Sequence, residues 1–106
     1  IMRIPDISSF PKLKTLNLQL NLIDILPPLA SKTLLSLDCS NNKIKEMSDF
    51  KGIPLLRNLI LFRNEISEIR GLESLSNLEE LDLGRNYIKE LNGIENCISL
   101  RKIILY

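Results

Sequence analysis

The sequence predicts an α/β solenoid, in which each repeat gives one short parallel strand to one face and one short helical or 3₁₀ turn to the other. Two observations predict this fold. A segment of the form LxxLxLxxNxI recurs, and its asparagines step by 21, 22 and 22 residues along the 106-residue chain. Between copies, apolar residues follow one another at a spacing of three. Self-similarity at a fixed period of this length is typical of a stack of repeats.

The strands are predicted by the LxL part of each copy, where apolar and polar residues alternate with the period of a strand. One unit cannot bury its own leucines, so copies must stack and bury them against neighbours, with the strands side by side in a parallel sheet. Four copies and a partial fifth share these slots. They are Leu13, Leu16, Leu18, Asn21 and Ile23; Leu34, Leu37, Cys39, Asn42 and Ile44; Leu56, Leu59, Leu61, Asn64 and Ile66; Leu78, Leu81, Leu83, Asn86 and Ile88; Leu100, Ile103 and Leu105.

The connections are predicted to contain short 3₁₀ or α turns, because apolar residues at every third position suit that geometry. The series Ile66, Ile69, Leu72, Leu75 shows the spacing clearly. Leu26 and Leu34 are one residue closer together than the spacing of three requires, and Pro27 and Pro28 lie between them. We expect a distorted connection there.

The recurring asparagines are predicted to be structural. They lie where each strand ends and the chain turns inward, which leaves backbone groups in need of partners. A carboxamide both donates and accepts hydrogen bonds, so it can join neighbouring turns. This asparagine ladder comprises Asn21, Asn42, Asn64 and Asn86.

The segment 69–88 resembles the 22-residue subclass of leucine-rich repeats slot for slot, and the resemblance extends over essentially the whole chain. It implies a right-handed leucine-rich-repeat solenoid, with a curved parallel sheet on the concave face and short helical turns on the convex face. We interpret residues 1–106 as one such domain, with about four full repeats and partial terminal repeats. No polar capping unit appears at either end, so we expect the chain to be part of a longer protein.

Members of this subclass include the nuclear regulatory subunit of protein phosphatase type one, a spliceosomal ribonucleoprotein subunit, and axonemal dynein light chains. The resemblance implies a non-catalytic, intracellular protein-binding scaffold, in the cytoplasm, nucleus or cilium and cytoskeleton. Phosphatase regulation and axonemal or cytoskeletal assembly are the leading roles. A ribonucleoprotein subunit and the recognition domain of a larger signalling enzyme remain alternatives.

The partner is predicted to contact the strand side chains that point away from the leucines. Apolar residues on a face expected to be wet, beside aromatic and arginine side chains, indicate an interface. Gly84, between Phe62 and Tyr106 in its column, is expected to open a notch. Chance exposure, contact with further repeats, and phosphate binding by the arginine pair are the other interpretations. The candidate contacts are Asn17, Gln19, Asp38, Ser40, Asn58, Ile60, Phe62, Arg63, Glu80, Asp82, Arg85, Lys102, Ile104 and Tyr106.

The composition argues against several other classes. The chain has no histidine, the usual general base and metal ligand. Its four glycines follow the spacing of the repeats and form no glycine-rich phosphate-binding loop. We therefore expect no enzyme, cofactor, metal or small-molecule substrate. A net charge of +1 argues against nucleic acid as the partner, and no apolar run predicts membrane insertion. Cys39 and Cys97 fill leucine slots and are expected in the core, unbonded to each other.

Overall fold

The computed structural model describes residues 4–106 of the chain. Its five strands have three residues each. They are β1 (Thr15–Asn17), β2 (Ser36–Asp38), β3 (Asn58–Ile60), β4 (Glu80–Asp82) and β5 (Lys102–Ile104). Every neighbouring pair is parallel, and the order in the sheet follows the order in the chain. This is the arrangement of a solenoid, in which each repeat pairs only with the next. Ile1, where the predicted domain begins, lies outside the described residues.

The strand register confirms the repeat alignment. Leu59 pairs with Leu81, and Leu81 pairs with Ile103. Leu59 and Leu81 are buried, while Ile103 packs half-buried against the same core. Complete burial of one such side chain stabilises the fold by roughly 1.5–3 kcal/mol, so a column of stacked leucines is the main source of stability.

The connections between strands differ from the predicted helical turns, because residues 4–106 contain neither an α-helix nor a 3₁₀ helix. The connection after β3 has two isolated turns, in which the Leu75 amide donates to the Leu72 carbonyl (3.0 Å) and the Leu78 amide to the Leu75 carbonyl (3.2 Å). A helix needs such bonds from successive residues, whereas these donors are three apart. The fold therefore has the predicted parallel strands, while the helical half of the α/β prediction finds no support in residues 4–106, where the connections contain single turns.

The connection after Pro27 and Pro28 differs from the others, as predicted from the missing residue between Leu26 and Leu34. Elsewhere the last turn closes on a backbone carbonyl, but here the Leu34 amide donates to the Ser31 hydroxyl oxygen at 3.1 Å. The Ser31 amide donates to the Gly52 carbonyl of the next repeat at 2.9 Å. The buried serine thus replaces the missing backbone acceptor.

Burial follows position in the stack. In the β3 repeat, which has a neighbour on each side, Ile66 and Ile69 are 0% and 4% exposed. Their counterparts one repeat later differ, since Ile88 is half-buried and Leu91 is 55% exposed. An apolar side chain in the same slot is buried when repeats cover it from both sides, as expected of a core that runs along one dimension.

Candidate functional site on the open face of the sheet

The face of the sheet opposite the leucine core presents three columns of side chains. The first is formed by Thr15, Ser36, Asn58, Glu80 and Lys102, and the second by Asn17, Asp38, Ile60, Asp82 and Ile104. The third lies two residues further along each repeat and contains Gln19, Ser40, Phe62, Gly84 and Tyr106. The register therefore brings the predicted strand contacts together on one surface. We call it the open face.

Polar residues in the second column stabilise the end of their own strand. Asp38 Oδ1 accepts a hydrogen bond from the Ser40 amide at 3.0 Å, and Asp82 Oδ1 accepts one from the Gly84 amide at 2.9 Å. Asn17 Oδ1 does the same for Gln19 at 3.0 Å. Such Asx turns satisfy an amide that the strand ladder has left free. These side chains therefore have a structural use, apart from any partner.

Two isoleucines interrupt this column, since Ile60 and Ile104 have no side-chain acceptor for the amide two residues on. Beside them lies Phe62, whose ring covers Gly84. A Cβ placed on Gly84 would lie 3.1 Å from Phe62 Cδ1 and 3.4 Å from Ile104 Cγ2. The predicted notch above Gly84 is therefore filled by this chain's own side chains, and that expectation is corrected. The Asp82 Oδ1 atom also lies 3.1 Å from that Cβ position. The apolar residues of this surface are Ile60, Phe62, Ile104 and Tyr106, which we call the Phe62 patch.

Exposure differs among the predicted contacts. Ile60, Phe62 and Ile104 are half-buried, and Tyr106 is 76% exposed. Ser40 is buried, and its hydroxyl donates to Asp38 Oδ1 at 2.6 Å, so it presents little surface. The remaining strand contacts are exposed or half-buried. They are Asn17, Gln19, Asp38, Asn58, Glu80, Asp82 and Lys102.

Arg63 and Arg85 lie where the chain leaves β3 and β4. Their φ angles are +59° and +54°, and Leu20 and Asn41 in the same slot have +60° and +57°. This left-handed column was not predicted from the sequence, although Asn41, a residue type that tolerates the conformation, is a signal for it. Among residues 4–106 the ion pairs are Arg70–Glu68 and Arg101–Glu79, so neither Arg63 nor Arg85 has an acidic partner there.

The asparagine ladder joins neighbouring repeats beneath this edge. Asn64 Nδ2 donates to the carbonyls of Cys39 and Leu61, both at 3.0 Å, and Asn64 Oδ1 accepts from the Ile44 amide at 3.1 Å. Asn42 and Asn86 make the same bonds one repeat earlier and one repeat later. Within residues 4–106, Asn21 donates inside its own repeat, to the carbonyls of Leu18 and Gln19.

The two cysteines are free and buried in the core. Burial, with a smaller contribution from the nearby Asp38 carboxylate, raises the pKa of the Cys39 thiol to about 12. Burial also raises the pKa of Cys97, with Glu95 and Glu73 adding to the effect. Thiols held neutral in this way are poor nucleophiles and poor metal ligands. Residues 4–106 also bring together no group of three side chains suited to a metal ion.

Comparison with known proteins agrees with this architecture. Residues 54–96 match the family model described as Leucine Rich repeats (2 copies). Together with the parallel stack, the match supports a leucine-rich-repeat protein. No curated protein matches the chain. Leucine-rich repeats generally mediate protein–protein interaction and are typically non-catalytic. Within residues 4–106, no helix has the length and apolarity needed to cross a bilayer.

Proposed function

We propose that this chain is a non-catalytic scaffold that binds a partner protein on the open face, the concave face in leucine-rich repeats, with the Phe62 patch at its centre. The observation that carries the proposal is the substitution of Ile60 and Ile104 into a column where Asn17, Asp38 and Asp82 each satisfy a backbone amide. Isoleucine gives up that hydrogen bond and adds apolar surface. A binding surface accounts for both changes.

The surroundings of the patch suit a protein partner. Protein interfaces commonly have an apolar, aromatic-rich centre and a polar rim. Here the rim is acidic on the strands, through Asp38, Glu80 and Asp82, and basic where Arg63 and Arg85 follow them. Phe62 is half-buried beside Gly84, so part of its side-chain freedom is lost before a partner binds.

Within this class, the likeness to the 22-residue subclass favours a regulatory or assembly role inside the cell, such as phosphatase regulation or axonemal and cytoskeletal assembly. Two free thiols in the core are compatible with a reducing compartment. The recognition domain of a larger signalling enzyme would use the same surface in the same way.

The experiment compares Phe62→Ala with Phe10→Ala in affinity capture by the full-length protein, followed by quantitative mass spectrometry. Phe10 is the matched control, because it is also phenylalanine and is 55% exposed in a turn away from the strands. We expect one or a few captured proteins to be lost with Phe62→Ala and retained with Phe10→Ala. Thermal unfolding of both variants checks that each remains folded.

Equal recovery of every protein by the two variants would contradict the proposal. A ribonucleoprotein role gives a different result, namely RNA bound by the purified chain with an affinity that falls steeply as salt rises. That outcome, with no dependence on Phe62, would replace a protein partner with a nucleic acid.

A further inference from the structure

We infer that the edge where the chain leaves the strands is a second binding surface, and that it takes an extended acidic segment of a partner protein. An open groove of about 470 Å³ runs along this edge across the repeats. We call it the strand-exit groove. It is lined by Asn21, Leu22, Asn41, Asn42, Lys43, Arg63, Asn64, Glu65, Arg85 and Tyr87.

The charge of the groove selects the ligand. Its lining contains three basic side chains, Lys43, Arg63 and Arg85, against the single acid Glu65. None of the three basic residues takes part in an ion pair within residues 4–106. The chain as a whole is almost neutral, at +1, so this is a local excess of positive charge. Arginine binds carboxylates through paired N–H donors, which suits a segment rich in Asp or Glu.

The backbone fixes where these arginines lie. The Arg63 amide donates to the Gly84 carbonyl at 2.8 Å, and the Arg85 amide donates to the Tyr106 carbonyl. Both residues keep left-handed φ angles, which cost an L-residue with a Cβ atom roughly 1–2 kcal/mol relative to the ordinary helical region. Asparagine occupies the slot at position 41 and tolerates this conformation better. Two arginines therefore occupy the slot despite a conformational cost, and both reach solvent beside the groove.

The two ends of the groove are apolar or aromatic. At the β1 end, Leu22 is 77% exposed, and Leu20 beside it is 76% exposed. At the β4 end, Tyr87 is 64% exposed. Large aliphatic side chains with this exposure gain from being covered, at about 25 cal/mol per Å² of apolar area. A purely ionic ligand would leave Leu22 uncovered, so the segment should also carry an apolar side chain.

The repeat spacing sets the pattern of that segment. Leu22 and Arg63 are two strands apart, and Leu22 and Arg85 are three. With about 4.8 Å between strands and about 3.3 Å per extended residue, the acids should lie about three and about four residues from the apolar side chain. Side chains of an extended segment alternate between two sides, so the acid four residues from a leucine-like residue shares its side. A pair of acids after two intervening residues includes that position.

The test uses a defined probe, a soluble peptide carrying Leu-Ser-Ser-Glu-Glu between Gly-Ser flanks, titrated into the full chain by NMR. We expect the amides of Leu22, Arg63 and Arg85 to shift, and binding to weaken as salt rises. The same peptide with Gln for Glu should bind at least tenfold more weakly. The double variant Arg63→Glu and Arg85→Glu should show a similar loss.

The matched control is the double variant Arg57→Glu and Lys51→Glu, which changes the net charge equally. Arg57 directly precedes β3, and Lys51 lies in the turn before it. This control should keep most of the affinity. Equal losses in both double variants, equal binding of the Gln peptide, or no binding at all would overturn the inference. Tighter binding of a single-stranded RNA oligonucleotide than of the peptide would overturn the choice of a protein ligand.

This inference rests on the proposed function in taking the partner to be a protein, and the groove shares Arg63 and Arg85 with the rim of the Phe62 patch. Phe62→Ala should leave peptide binding unchanged, because Phe62 does not line the groove. If the peptide fails to bind while partner capture still depends on Phe62, the groove inference fails and the proposed function stands.

Discussion

Removal of one ladder asparagine gives the sharpest test of how the repeats are held together. In Asn64→Ala the lost carboxamide leaves the Ile44 amide and the carbonyls of Cys39 and Leu61 without these bonds. Asn64 is buried, so water does not readily replace the missing partner. Among residues 4–106, the same change at Asn21 removes two bonds, both within one repeat, at a half-exposed position.

The difference in cost can be worked from these bonds. At about 1 kcal/mol for each of the three short bonds of Asn64, the variant should lose about 3 kcal/mol. Water can take over the bonds of Asn21, so Asn21→Ala should lose about 1 kcal/mol or less. For a domain of this size the gap of about 2 kcal/mol corresponds to a difference in Tm of roughly 10 °C.

The assay is urea unfolding followed by circular dichroism, with thermal unfolding as a second readout. A third variant, Asn64→Asp, keeps an acceptor for the Ile44 amide but places a carboxylate oxygen against two carbonyls. It should be at least as unstable as Asn64→Ala at neutral pH and should recover in acid, because a protonated carboxyl can donate again. Equal costs at Asn64 and Asn21 would refute the reasoning, and so would native-like stability of Asn64→Asp at neutral pH.

Three further predictions concern other parts of the fold. Leu20→Asn should stabilise the chain by about 0.5–1 kcal/mol in urea unfolding, because Leu20 is 76% exposed and its φ is +60°. Leu61→Ala should cost about 2–5 kcal/mol, while Leu55→Ala, at a 43% exposed site, should cost under about 1 kcal/mol. The Cys39 pKa is about 12 in the folded chain against an ordinary 9.0, so its stabilising effect is complete below pH 9 and is lost between pH 9 and 12. Cys39→Ala should flatten the alkaline fall in stability.

The features that could be predicted from the sequence are those that repeat. Leu59, Leu81 and Ile103 align because a parallel stack has one register that buries every leucine. The asparagine positions follow from the same grid. The spacing of three, by contrast, gave turns without a helix, since it fixes which side chains face the core but not whether successive amides bond.

The candidate site was harder to predict because it depends on departures from the repeat. The pattern placed Phe62 and Gly84 in one column, but it could not show that the ring of one covers the other. It also could not separate Asp82 as a strand cap from Asp82 as a partner contact, because both uses suit an exposed carboxylate. The left-handed arginines depend on the backbone path out of the strand, which the hydrophobic pattern does not specify.

The central claim is that stacking the leucines on one side leaves the strands free to bind another protein on the other. Hydrogen–deuterium exchange of the full-length protein, with and without its captured partner, tests this most directly. We predict slower exchange in segments 60–64 and 82–86, which follow the open face, and no change in the turns at 69–78. Protection confined to those turns, with the open face exchanging as before, would contradict it.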